Sequence, residues 1–175
     1  MLSIDATAAL VGQACWAEAA AFTLLGGWTP SVPEPAPKLL VARHSRHHGW
    51  HAELLAEVLP STRAHRPADL VAPGDDRWPA VVEAVRAPAA GATVERLAGW
   101  YQALLPFLLA GYDRTLERLS PWSDGAVARR LRLVVEDERA DLAEGLGVLE
   151  GLLDGGADAD RAARQRREIE ARLPR

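Results

Sequence analysis

The 175-residue chain is short of the features that mark several kinds of protein. It has a single cysteine, Cys15, so no disulfide can form within the chain and no cysteine-based zinc site can assemble. It has no basic excess. Twenty Lys and Arg stand against 24 Asp and Glu, and a formal net charge of −4 offers no basic surface for DNA. An RNA-borne or small-molecule substrate likewise draws no support from charge. Residues 1–5 carry no basic run of the kind that opens a secretory signal. The nearest approach to a membrane span, 6–28, is rich in Ala and interrupted by Gln13 and Glu18. No internal repeat and no useful run of strand-period alternation is found. These absences point to a cytoplasmic, all-α protein that uses neither membrane nor DNA. Apolar residues make up 49% of the chain and charged residues 25%, an ordinary globular balance at a length that suits one domain.

What is present is helical pattern with clear punctuation. A first helix is expected over 5–25, stopped by Gly26-Gly27. Pro30, Pro33, Pro35 and Pro37 then form a connector, and a second helix is expected over 38–59, closed by Pro60. A third spans 94–119, with Thr93 as N-cap and a kink expected at Pro106. Ser120-Pro121 ends it, and a fourth runs over 124–153 to Gly155-Gly156. The link 60–92 is long for a compact domain and contains a short helical pattern at 78–86. Short links at both ends with a long one in the centre describe a four-helix bundle with one crossover connection, the ferritin-like connectivity. This gives a bundle domain over 1–156 and a charged helical tail over 157–175. The tail has a thin stripe at Ala162, Ile169 and Leu173, and reads as a fifth packed helix or an oligomer contact. A homodimer is the expected assembly.

The core seams carry the chemistry. Apolar residues recur at spacings of three and four on a helix face turned inward. In the second helix that seam reads Leu40, His44, His47, His51, Leu54, Val58, with His48 beside it and Arg43 and Arg46 turned away. In the first helix Glu18 is the only charge between 6 and 28, and it falls on the seam Val11, Ala14, Glu18, Ala21, Leu25. A carboxylate buried alone costs several kcal/mol (~3–5), so Glu18 needs a partner. The fourth helix brings Glu138 and Asp141, three apart on one face, while Asp137 is read as pointing elsewhere. The third brings Tyr101 and Tyr112 and no carboxylate on its inward seam near the level of the others. Counted from the turns, these groups fall near one level of the bundle. Trp16, Trp50 and Trp100 read as packing residues, Cys15 as a small core residue, and His65 receives no role.

These residues resemble the ferritin-like di-iron carboxylate superfamily, which includes rubrerythrins and the tRNA-modifying hydroxylase of the MiaE type. In that superfamily one helix of each pair gives a Glu and the other Glu-x-x-His. Glu18 matches the first Glu. His44-x-x-His47 or His48-x-x-His51 stands in place of one Glu-x-x-His, Glu138-x-x-Asp141 in place of the other, and the third helix has Tyr101 at the level of its missing Glu. The resemblance implies an iron or manganese site drawn from Glu18, His44, His47, His48, His51, Glu138 and Asp141, with Tyr101 supporting it. It implies a mononuclear or altered dinuclear centre acting as an oxidoreductase or hydroxylase. The alternative is a non-enzymatic bundle in which the same residues form a buried His–carboxylate network, in a structural or partner-binding role. The DinB-like metal-binding bundles rank lower, because they spread three histidines over two helices. A histidine cluster facing the surface is the third way to read the pattern.

Overall fold

The computed structural model describes residues 2–61 and 66–174, which leaves His65 outside the described residues. Among the described residues all regular structure is helical. The elements are α1 (Ile4–Trp28), α2 (Pro35–Ala56), α3 (Pro67–Leu70), α4 (Trp78–Arg86), α5 (Thr93–Leu97), α6 (Leu105–Arg118), α7 (Gly125–Glu150) and α8 (Gly156–Glu170). A π-helical segment, Ala98–Leu104, joins α5 to α6, so 93–118 forms one continuous third long helix.

Several ends differ from the sequence expectation for identifiable reasons. α1 begins under Ser3, whose hydroxyl accepts the Ala6 N–H, and runs straight through Gly26-Gly27 to Trp28. Gly26 serves close approach and not a cap, since a Cβ there would meet Ser45 Oγ at 2.9 Å. α2 starts at Pro35, earlier than expected, because proline suits a first helical turn whose N–H groups lack partners anyway. Thr93 is not an N-cap. It is the first residue of α5, and its hydroxyl donates instead to Glu34 Oε2 at 2.6 Å, tying the third long helix to the start of α2. The disturbance expected at Pro106 takes the form of the π segment just before it. There the Leu105 N–H reaches back five residues to the Trp100 carbonyl, and this wider turn accommodates a residue with no N–H to give to the regular ladder.

Side-chain pairings set the directions. Cys15 meets Ala52 and Phe22 meets Ser45, so α1 and α2 are antiparallel. His44 meets Glu144 and Arg130 meets Glu57, so α2 and α7 are antiparallel. Tyr101 lies on Gly145 and Asp113 on Arg139, so α7 and the third long helix are antiparallel too. α2 and the third long helix therefore run the same way, and the link between them must return along the molecule. Its α3 presses on α1 at Gly12, where a Cβ would overlap the Leu70 carbonyl oxygen at 2.0 Å. α8 lies against the π segment and puts Ala162 and Ile169 into the same apolar core as the long helices. α1 is long and apolar enough to cross a membrane. Half of it is buried, however, and it carries Glu18 inward to histidines, as a core helix does.

Candidate metal centre

The site grows from a stripe on α2. His44, His48 and His51 are fully buried, flanked on the same line by Val41 and Leu55, also fully buried. This corrects the sequence reading, which put His47 in the seam and His48 beside it. Runs of 44-47-51 and 44-48-51 fit the 3.6-residue period equally well. The choice belongs to the neighbours, since α2 lies between α1 and α7 and the line through His48 faces both. His47 is left at the edge with its side chain 32% exposed.

α1 and α7 supply the carboxylates opposite. Glu18 and Glu138 are buried at 1% and 0% exposure. His48 Nδ1 lies 2.7 Å from Glu18 Oε2 and 2.9 Å from Glu138 Oε1. His51 Nδ1 lies 3.3 Å and 2.9 Å from the same two oxygens. Four donor atoms, one from each residue, thus fall within 4.8 Å of one another. Around them stand groups that hold these four side chains in place. Tyr112 donates its hydroxyl to Glu18 Oε1 at 2.5 Å, and Asp137 Oδ2 lies 3.2 Å from His51 Nε2.

The electrostatics follow from burial of four ionisable groups together. Burial alone pushes the His48 imidazole towards its neutral form, but Glu138 and Glu18 overcome this and hold its pKa up at about 10. His51 is driven down by burial and up by the same pair, again to about 10. Burial pushes Glu18 up, and His48 and then His51 outweigh it, leaving the carboxyl well below its usual range. Tyr112 is raised well above the ordinary phenol by burial and by Glu18, so it stays a donor.

A second cluster lies one turn along the same helices. His44 Nδ1 pairs with the Tyr101 hydroxyl at 2.7 Å, and its Nε2 lies 3.3 Å from both Asp141 Oδ1 and Glu144 Oε2. His47 Nδ1 reaches Asp141 Oδ2 at 2.9 Å. This cluster opens to solvent: Glu144 is 48% exposed and ion-paired with Arg43. Burial lowers the His44 pKa despite the two nearby carboxylates. The third long helix turns no carboxylate into either cluster, Asp113 facing Arg139 instead, and contributes a tyrosine to each.

The seven residues named from sequence are therefore brought together, but in two groups. Glu18, His48, His51 and Glu138 form one. His44, Asp141 and His47 fall in the other, with Tyr101 as their support. Three further residues were not in the sequence reading of the site. Asp137, read as pointing elsewhere, meets His51, because a side chain beside the seam still reaches inward from a helix this closely packed. Glu144 had a readable signal, since it lies three residues after Asp141. Tyr112 read as a core residue, and its hydroxyl turns out to be the third contact of the Glu18 carboxylate, after His48 and His51. Cys15 is buried, with its thiol donating to the Ala52 carbonyl and its pKa raised by burial and by Glu18, as suits an inert core residue.

Among the described residues, three buried side-chain atoms beside the inner cluster have no hydrogen-bond partner: Trp100 Nε1, Glu138 Oε2 and His48 Nε2. The last belongs to a ring standing perpendicular to Trp100 at 5.2 Å between centroids. An unpartnered carboxylate oxygen beside two imidazole nitrogens and two carboxylate oxygens is compatible with a metal site, although Thr7 Oγ1 and Trp28 Nε1 elsewhere are unpartnered too. The chain matches no protein-family model, no curated protein and no solved structure.

Proposed function

We propose that Glu18, His48, His51 and Glu138 hold a divalent metal, iron or manganese, and that the protein is a ferritin-like metal-dependent oxidoreductase or hydroxylase. The observation that carries this reading is the convergence of four buried donor atoms within 4.8 Å, with Glu138 Oε2 spare beside them. Two imidazoles and two carboxylates without a thiolate form a donor set that suits these metals. The parallel course of α2 and the third long helix, with the long return between them, supports the ferritin-like connectivity. Iron or manganese bound there supplies one-electron redox change and activation of dioxygen. The chain's own residues do the rest. Tyr112 fixes Glu18 through Oε1, and Asp137 fixes the His51 ring by taking its Nε2–H, the outer contacts that orient ligands. Four helices exclude water from the cluster, while the His44–Asp141–Glu144 group offers a second, solvent-edged position one turn away.

Protein purified without chelators should carry about one equivalent of iron or manganese, by analogy with closed protein metal sites. Glu18→Gln and His51→Gln should each lose it. Less than about a tenth of an equivalent, with no thermal shift on adding either ion, overturns the reading.

One observation favours a second reading. The four inner groups pair with one another at 2.7–3.3 Å, so they can serve as a buried network that sets the register of α1, α2 and α7 in a non-enzymatic protein. Under it, Glu18→Gln destabilises the fold and leaves the metal content of the wild type, near zero, unchanged.

A further inference from the structure

A cavity of about 290 Å³ adjoins the inner cluster. Its position follows from the helix directions. Ala14 lies one turn before Glu18 on α1, Leu55 one turn after His51 on α2, and Leu131 two turns before Glu138 on α7, all displaced towards the same end of the molecule. Tyr112 belongs to both places. Its ring lines the cavity and its hydroxyl holds Glu18. The return segment completes the wall with Trp78, packed edge-on against Phe107 at 5.7 Å.

The charge in this cavity has one sign. No carboxylate lines it, although the chain is acidic overall. Its only charged residues are Arg114 and Arg118, four apart on one face of α6. Among the described residues neither guanidinium has an ion-pair or hydrogen-bond partner. Arg130 and Arg139 on the neighbouring α7 are by contrast paired, with Glu57 and Asp113. Both arginines are exposed at the cavity mouth, where two like charges four apart repel modestly and an anion seated between them would relieve the repulsion. The size sits at the small end of ligand pockets, which run from roughly 300 to 1,000 Å³.

We propose that the cavity binds a small amphiphilic anion, with its apolar body against Leu55, Phe107 and Leu131 and its carboxylate or phosphate at Arg114 and Arg118. That this occupant is the substrate rests on the metal reading above; that it binds does not.

The test uses octanoate, octyl phosphate and 1-octanol as probes in titration calorimetry, on protein before and after loading with manganese. Octanoate or octyl phosphate should bind saturably at one site, and octanol about tenfold or more weaker. Preference between the two anions tells which headgroup the site takes. The double variant R114Q/R118Q should bring the anion down to the affinity of octanol. Gly111→Leu supplies a control for folding. A Cβ at Gly111 meets only Arg114 Nη2, at 3.8 Å, so a leucine there has room to enter the cavity mouth and suits a helix better than glycine. That variant should keep or raise the melting temperature and abolish binding. Octanol binding as tightly as both anions, or unchanged anion binding in Gly111→Leu, overturns the pocket. Anion binding to a protein that takes up no metal upholds the pocket and overturns the metal reading. Metal uptake without anion binding does the reverse.

Discussion

The inner and outer clusters are built from α2 and α7 one turn apart, and both draw on histidines facing carboxylates. They differ in what surrounds them. The inner cluster has α1 across from it, which brings Glu18 and shuts out water; the outer one has Gly145 and Tyr101 on one side and solvent on the other. The same residue types therefore behave in opposite ways. His48 and His51, each between two buried carboxylates, are held up near pKa 10, whereas His44, with a half-exposed Glu144 and the Arg43 charge nearby, is held down by burial. Burial pushes all three imidazoles down, and only where two buried carboxylates face the ring is that push outweighed.

The largest expected effect is on the inner side. Glu18→Ala removes a partner from two buried imidazoles and from the Tyr112 hydroxyl, and should cost about 3–5 kcal/mol in denaturant unfolding of the metal-free protein. Asp141→Ala, buried but in the cluster that opens to solvent through Glu144, should cost about 1–3 kcal/mol. Equal losses would erase the distinction between the two clusters.

Next comes pH. His48 and His51 have folded pKa values raised to about 10 from an ordinary 6.5. Their stabilisation is complete below pH 6.5 and is lost as pH rises from there towards 10. Glu18, held low, contributes above its ordinary value of 4.5 and loses that contribution as pH falls below it. Metal-free protein should thus be most stable near pH 5–6 and weaken steadily on the alkaline side, as followed by urea unfolding in the presence of a chelator. A stability flat between pH 7 and 9 contradicts the paired-imidazolium account.

Gly145→Ala probes the outer side alone. A Cβ at that position would lie 2.3 Å from the Tyr101 ring, so the ring must move and His44 loses its 2.7 Å partner. A loss of about 1–3 kcal/mol is expected, with metal content at the inner cluster retained. The smallest effect belongs to Glu144→Gln, whose exposed pairing with Arg43 should be worth less than about 1 kcal/mol by thermal unfolding.

Part of this was legible without a structure. A lone Glu18 in an otherwise uncharged helix had to find a partner, and histidines flanked by Leu40 and Leu54 had to face inward. The short helix at 78–86 was readable from its pattern and stands as Trp78–Arg86. Gly26-Gly27 misled, because glycine serves both helix ends and close contacts and a local pattern cannot tell them apart. His47 and His48 were exchanged for a related reason: a 3.6-residue period admits two neighbouring lines on one helix.

Sequence by itself determined that the chain is helical and that carboxylates and imidazoles must meet in its interior, since an unpartnered charge has no tolerable place there. Tertiary structure decided which ones meet. The division into a closed cluster of Glu18, His48, His51 and Glu138 and an open one around His44, the tyrosine given to each, and the cationic cavity beside them depend on how helices distant in the chain are rotated and staggered. That choice is made by packing across four helices, a property no single helix carries in its own period.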